Sequence, residues 1–158
     1  MRPSVLRFPM LVLVALGLVP GGAHVLELPV KMHYSPELYA AVTSTLYALF
    51  GSIGAVIQVA AVLCAAWMSY LVRKTPAFPI TFWGTLLLGA SLVLWGALVA
   101  PVNAEWTQAA SAASRSIPGA YARLRSRWEY GHVAAFAAWF VGYCVLQRSV
   151  LHDDARAT

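Results

Sequence analysis

Four stretches of this chain are apolar over membrane length, and polar residues gather at their ends. The first runs from Phe8 to about Val30 and closes in Lys31, His33, Tyr34 and Ser35. At about 1.5 Å per residue it can cross a hydrocarbon core of roughly 30 Å. Ser35-Pro36 then reads as a helix start, a hydroxyl cap followed by proline at the first helical position. The helical pattern from Pro36 to Leu71 is too long for one crossing, so its first dozen residues are expected outside the core. Gly51 and Gly54 offer a place to bend. The expected spans are about 8–30, 49–72, 80–102 and 128–146, the third ending in Pro101-Val102-Asn103. Between the last two lies a polar, helical extramembrane connection, 104–127, broken near Ile117-Pro118-Gly119.

Composition agrees with the pattern. Of 158 residues, 60% are hydrophobic and 11% charged, against about 45–50% and 25% in soluble domains. The fold class that follows is all-α, an integral membrane four-helix bundle. The net charge of +5 comes from short basic clusters at span ends, where positive charge meets lipid head groups. The partner they imply is the lipid bilayer, not nucleic acid. Gly21-Gly22-Ala23 also has the small residues of a signal-peptide cleavage site. The apolar run continues past it through Val25, Leu26 and Leu28, so this segment is expected to be retained. Cys64 and Cys144 lie in apolar runs and read as buried small residues, not as a disulfide.

Basic residues set the expected orientation. Arg2, Arg7, Arg73, Lys74, Arg148 and Arg156 fall on one side; Lys31, Arg115, Arg123, Arg125 and Arg127 fall on the other. The positive-inside rule then places both termini in the cytoplasm. On the fourth span, Gly131, Ala135, Ala138 and Gly142 form a small-residue stripe suited to close helix packing.

The chemistry concentrates in two short pairs. His24 and Glu27 stand near the end of the first span, Glu129 and His132 near the start of the fourth, each pair three residues apart on one helix face. Phe8 to His24 and His132 to Arg148 each cover about 24 Å of helix from the same side. A common polar layer is therefore expected, joined by Asn103 from the end of the third span. Ionisable groups at this depth are costly unless paired. Two histidines and two carboxylates can ligate iron, copper, zinc or manganese, which makes His24, Glu27, Glu129 and His132 a candidate metal set. The alternative is that the Glu–His pairs bind no metal and only tie helices together. His33 and His152 read as solvated. Gln58, at mid-depth, reads as an interhelical hydrogen bond or a cavity lining.

Gly22-Ala23-His24-Val25-Leu26-Glu27-Leu28-Pro29, Pro101-Val102-Asn103, and Arg127-Trp128-Glu129 with His132 together resemble a family. It is the anthrone-oxygenase-like, domain-of-unknown-function superfamily of small four-span membrane proteins, and the resemblance covers about residues 10–148. It implies a bacterial inner (plasma) membrane protein. Its fungal relatives oxidise anthrones to anthraquinones. For this chain the resemblance implies oxygen chemistry on a lipophilic aromatic or quinone-like substrate. His132, Glu129, His24, Glu27 and Asn103 would be catalytic, and Arg127 and Trp128 would contact the substrate. Where the family often has arginine three residues after the histidine, this chain has Ala135. Two functional readings follow, an oxidoreductase-like enzyme and a non-catalytic accessory, assembly, metal- or lipid-binding protein. An open, partly apolar pocket touching both histidines separates them. Nothing in the pattern sets an oligomeric state.

Overall fold

Pro20 decides the shape of the first span. It has no backbone N–H, and its ring crowds the carbonyl four residues earlier, that of Leu16. In the computed structural model, which describes residues 3–112 and 117–154, helix α1 (Pro3–Leu16) therefore stops there and α2 (Leu18–Lys31) starts beyond Gly17. The span expected over about 8–30 is present, with a kink inside it. Carbonyls beside the kink are engaged by side chains: Trp139 Nε1 donates to Val14 O at 2.9 Å and Gln58 Nε2 to Gly17 O at 2.9 Å. Buried backbone groups must find partners, and these two cross-helix bonds provide them.

Ser35 caps α3 (Pro36–Thr45), its Oγ accepting from Leu38 N at 3.3 Å, with Pro36 in the first turn. The bend between α3 and α4 (Ala48–Leu71) falls at Leu46 and Tyr47, not at Gly51 or Gly54. Gly54 has a different use, since a Cβ there would press on the Pro20 ring at 3.1 Å. A second kink, at Val99, separates α5 (Phe78–Leu98) from α6 (Ala100–Ala112). Pro101 sits in the first turn of α6, where a missing N–H is harmless. The i→i−4 bonds Val99 N to Trp95 O and Asn103 N to Val99 O carry through. Proline here bends the third span, where the sequence suggested an end. The connection at 104–127 is accordingly α6 plus the beginning of α7 (Ile117–Asp154). Arg2, Arg115, Arg156 and the His152 side chain lie outside what is described.

Four helical runs are long and apolar enough to cross a membrane: Val5–Lys31, Leu49–Leu71, Phe78–Ala109 and Pro118–Val150. The described residues contain no strand. The protein is an all-α integral membrane bundle. α7 packs on α5 and α6 to one side and on α1, α2 and α3 to the other, while α4 packs on α1 and α5, diagonally opposite α7. The small stripe makes the α5–α7 contact. Ala135 is buried and its carbonyl accepts from Ser91 Oγ at 2.7 Å; a Cβ on Gly142 would meet Leu88 at 3.0 Å and Gly84 O at 3.1 Å. Both cysteines are free; Cys64 is half-buried against the core cluster around Met10 and Trp139, while Cys144 is exposed, where the sequence had suggested burial.

Two apolar clusters hold the bundle. One, around Met10, Ala65, Leu88, Trp139 and Leu146, fills the end away from Lys31. The other, around Tyr39, Val102, Trp106, Tyr121 and Trp128, fills the end near it. Gly142→Leu should lower stability by roughly 1–3 kcal/mol, the usual cost of overpacking. Gly89→Leu, where nothing lies within 4 Å, should leave thermal unfolding in detergent close to wild type.

Candidate functional site

On α2, His24, Glu27 and Lys31 recur at spacings of three and four, which puts all three on one helix face. The helix continues as far as Lys31, so this residue points back along the face and does not end the span as a solvated loop residue. Lys31 is 1% exposed. Its Nζ lies 3.0 Å from Glu129 Oε1, 3.1 Å from His24 Nδ1 and 3.7 Å from Glu27 Oε2. It also sits over the rings of Tyr47 and Trp128 at 4.7 and 5.5 Å from their centroids, in cation–π range. Glu129 is fully buried, and Tyr39 Oη donates to its Oε1 at 2.8 Å. The Tyr47 hydroxyl donates to Glu27 Oε2. The Glu27 side chain, 39% exposed, is the group of this network nearest the outside.

The two histidines meet, their ring centroids 4.0 Å apart with a 32° tilt. His24 is also stacked on Tyr47 at 4.8 Å, with the edge of Trp128 against it at 4.8 Å. His132 Nδ1 faces the Trp128 carbonyl at 2.9 Å. Asn103 Oδ1 accepts from Trp128 Nε1 at 2.8 Å. An indole N–H can only donate, so the Asn103 oxygen is on that side and its amide nitrogen is free to turn elsewhere.

A cavity of about 770 Å³ lies between the two apolar clusters, with His24, His132, Asn103, Trp106, Trp128 and Phe136 on its wall. Most of that wall is apolar and aromatic, as in small-molecule sites generally. On α4 the wall residues Gly51, Ser52, Ala55 and Val59 are themselves exposed. The cavity is therefore open sideways along the first half of α4, which lies in a membrane-spanning helix. Gln58 does both things considered for it, bonding α1–α2 and lining the cavity.

The structure thus brings His24, Glu27, Glu129 and His132 into one layer and sets Asn103 and Trp128 beside it. Arg127 is exposed and does not line the cavity; the arginine that reaches inward is Arg125, whose Nη1 donates to Tyr34 O at 2.8 Å. The four-residue metal set does not form as one shell. Among the described residues no three His, Cys, Asp or Glu side chains are placed to hold an ion. The physical reason is Lys31, whose ammonium already occupies the position between both carboxylates and an imidazole. Lys31, Tyr39 and Tyr47 were missed in the sequence, although Lys31 shares a helix face with His24 and Glu27. No family model, curated protein or solved structure matches the chain.

Removing one partner of a buried ion pair leaves the other charge uncompensated, at about 3–5 kcal/mol. Lys31→Met should lower stability by that order, read as thermal unfolding in detergent, and Lys31→Met combined with Glu129→Gln should recover much of the loss. Tyr39 lies on α3, outside the spans. Burial, then the Glu129 charge beside it, raises its phenol far above the ordinary value of 10.0, with Arg125 opposing. A raised folded value means stability that is present below the unfolded pKa of about 10 and lost as pH rises above it. Tyrosinate absorbance during alkaline titration should therefore show one tyrosine ionising only with unfolding, and Tyr39→Phe should abolish that step.

Proposed function

We propose that this chain is an integral membrane oxidoreductase of the oxygenase type, acting on a flat, lipophilic aromatic or quinone-like molecule. The observation that carries the reading is the 770 Å³ cavity with both imidazoles on an otherwise aromatic wall. Helix-tying pairs alone would have no use for such a space. The family resemblance supplies the reaction class. In it a ring methylene becomes a carbonyl: one atom of dioxygen ends in the carbonyl, and the other leaves as water with the two methylene hydrogens.

In this reading the residues divide the work. A cavity imidazole removes a proton from the activated ring carbon. The free amide nitrogen of Asn103 donates to the oxygen on which negative charge then collects, a role that suits a preorganised donor. Trp95, Trp106 and Phe136 hold the flat ring system. Lys31, Glu27 and Glu129 set the electrostatic field behind His24. The sideways opening along α4 supplies the substrate from the bilayer, which in a bacterium is the inner membrane.

Dioxygen uptake by detergent-purified protein supplied with 1,8-dihydroxyanthrone, a compound of the class, tests this. Uptake should exceed the protein-free rate, and His132→Ala should cut the excess by about 10²-fold or more, the usual contribution of a general base. Protein that gives no excess uptake over the protein-free control would leave the network as a tie between α2, α3 and α7.

A further inference from the structure

Each cavity imidazole has one nitrogen committed to the protein, and the two commitments are of opposite kind. His132 Nδ1 lies 2.9 Å from the Trp128 carbonyl. A carbonyl oxygen can only accept, so Nδ1 carries the proton and a neutral His132 has a bare, accepting Nε2. His24 Nδ1 lies 3.1 Å from Lys31 Nζ. That nitrogen sits between two carboxylates, at 3.0 and 3.7 Å, the setting of an ammonium group. An ammonium can only donate, so His24 Nδ1 accepts and the ring proton is on Nε2. The competing partner for Nδ1 is Glu129 Oε2, but at 4.0 Å it is beyond hydrogen-bond distance.

Both imidazoles line the cavity, and with each Nδ1 committed to the protein, Nε2 is the ring nitrogen left for a ligand there. Neither Nε2 has a hydrogen-bond partner among the described residues. The sealed, unpartnered side-chain atoms there are Trp106 Nε1 and Glu129 Oε2, not the imidazole nitrogens. With the ring centroids 4.0 Å apart, the two nitrogens are close enough for one oxygen to bridge them, since two such bonds span up to about 6 Å. One donor and one acceptor within reach of a single atom match one group above all, a hydroxyl. It can accept from His24 Nε2–H and donate to His132 Nε2 at once. A carbonyl can use only His24, and an aryl ether likewise.

We infer that His24 and His132 form a donor–acceptor clamp for one hydroxyl group of a lipophilic aromatic ligand. Lys31 is the positioning residue that fixes the tautomer of His24. The inference rests on the cavity being a ligand site, and it adds what the ligand must carry. It also divides the roles of the two rings: His132 accepts the hydroxyl's hydrogen bond, and His24 donates to its oxygen. The orphaned Glu129 Oε2 has a place in this arrangement, because pairing it with His24 would reverse the tautomer and turn the clamp into two acceptors.

Nitrogen-15 NMR of histidine-labelled protein in detergent, assigned by substituting the four histidines singly, reads the tautomers without any ligand. The expected result is His24 protonated on Nε2 and His132 on Nδ1. His24 protonated on Nδ1 would overturn the clamp and identify Glu129 as its partner. In Lys31→Met the His24 nitrogens should shift toward the opposite tautomer while those of His132 stay put; an unchanged His24 removes Lys31 from the role. If that variant does not fold, the wild-type spectrum still decides. A second measurement titrates 1-naphthol, 1-methoxynaphthalene and 1,4-naphthoquinone against the same resonances. Naphthol should bind about tenfold more tightly than the ether or the quinone, as the loss of one hydrogen bond implies. Equal binding of all three would overturn the clamp and leave the cavity reading intact. No binding by any of them would remove the cavity as a ligand site, and the clamp with it.

Discussion

A buried ammonium cannot stand alone in a bilayer, and much of this molecule is arranged around one. Lys31 lies where water is scarce, so its charge has to be answered by groups from several elements. Glu129 comes from α7, Glu27 and His24 from α2 itself, and the aromatic faces of Tyr47 and Trp128 complete the shell. Tyr39 then satisfies the far side of the Glu129 oxygen. Charged groups at membrane depth are tolerated when they are paired in this way. The consequence is geometric. α2, α3 and α7 are held at one level, and the imidazoles above them are held in register.

The kinks serve the same end. A straight first span would carry His24 past the cavity wall on a rod; the break at Gly17 and Pro20 lets α2 take its own direction. Trp139 and Gln58 tie down the carbonyls released there. The break at Val99 does the same for α6, bringing Asn103 and Trp106 over the cavity from the third span. Residues at both bends, Gly17 and Pro20 at one and Trp95 and Asn103 at the other, stand on the cavity wall.

Much of this could be read in the sequence, and for definable reasons. The number of crossings follows from apolar length. The common layer follows from counting rise per residue along antiparallel spans, which placed His24 level with His132. Depth counting says nothing about direction, however, and Lys31 was lost there: a lysine at the end of an apolar run ordinarily extends its ammonium toward water. What it does instead depends on Glu129, a contact between residues almost a hundred positions apart. Nothing in the hydrophobic pattern marked Tyr39 or Tyr47 as partners of the carboxylates. Tyr39 and Thr43 share a face of α3 and Tyr47 stands at the bend beyond it, and only the tertiary fold says what they meet. Pro101 was legible as a break yet misjudged as an end, since a proline in a first turn and one that terminates a helix look alike in a sequence.

The sideways mouth along α4 has a consequence for how occupancy is reckoned. A solute reaching the imidazoles by that route is sampled from the acyl phase, so its saturation follows mole fraction in the lipid, not molarity in the surrounding buffer. Hydrocarbon tails are present there at overwhelming excess and will contest the same space. Affinity therefore has to come from what a tail lacks, a polar atom able to engage the ring nitrogens.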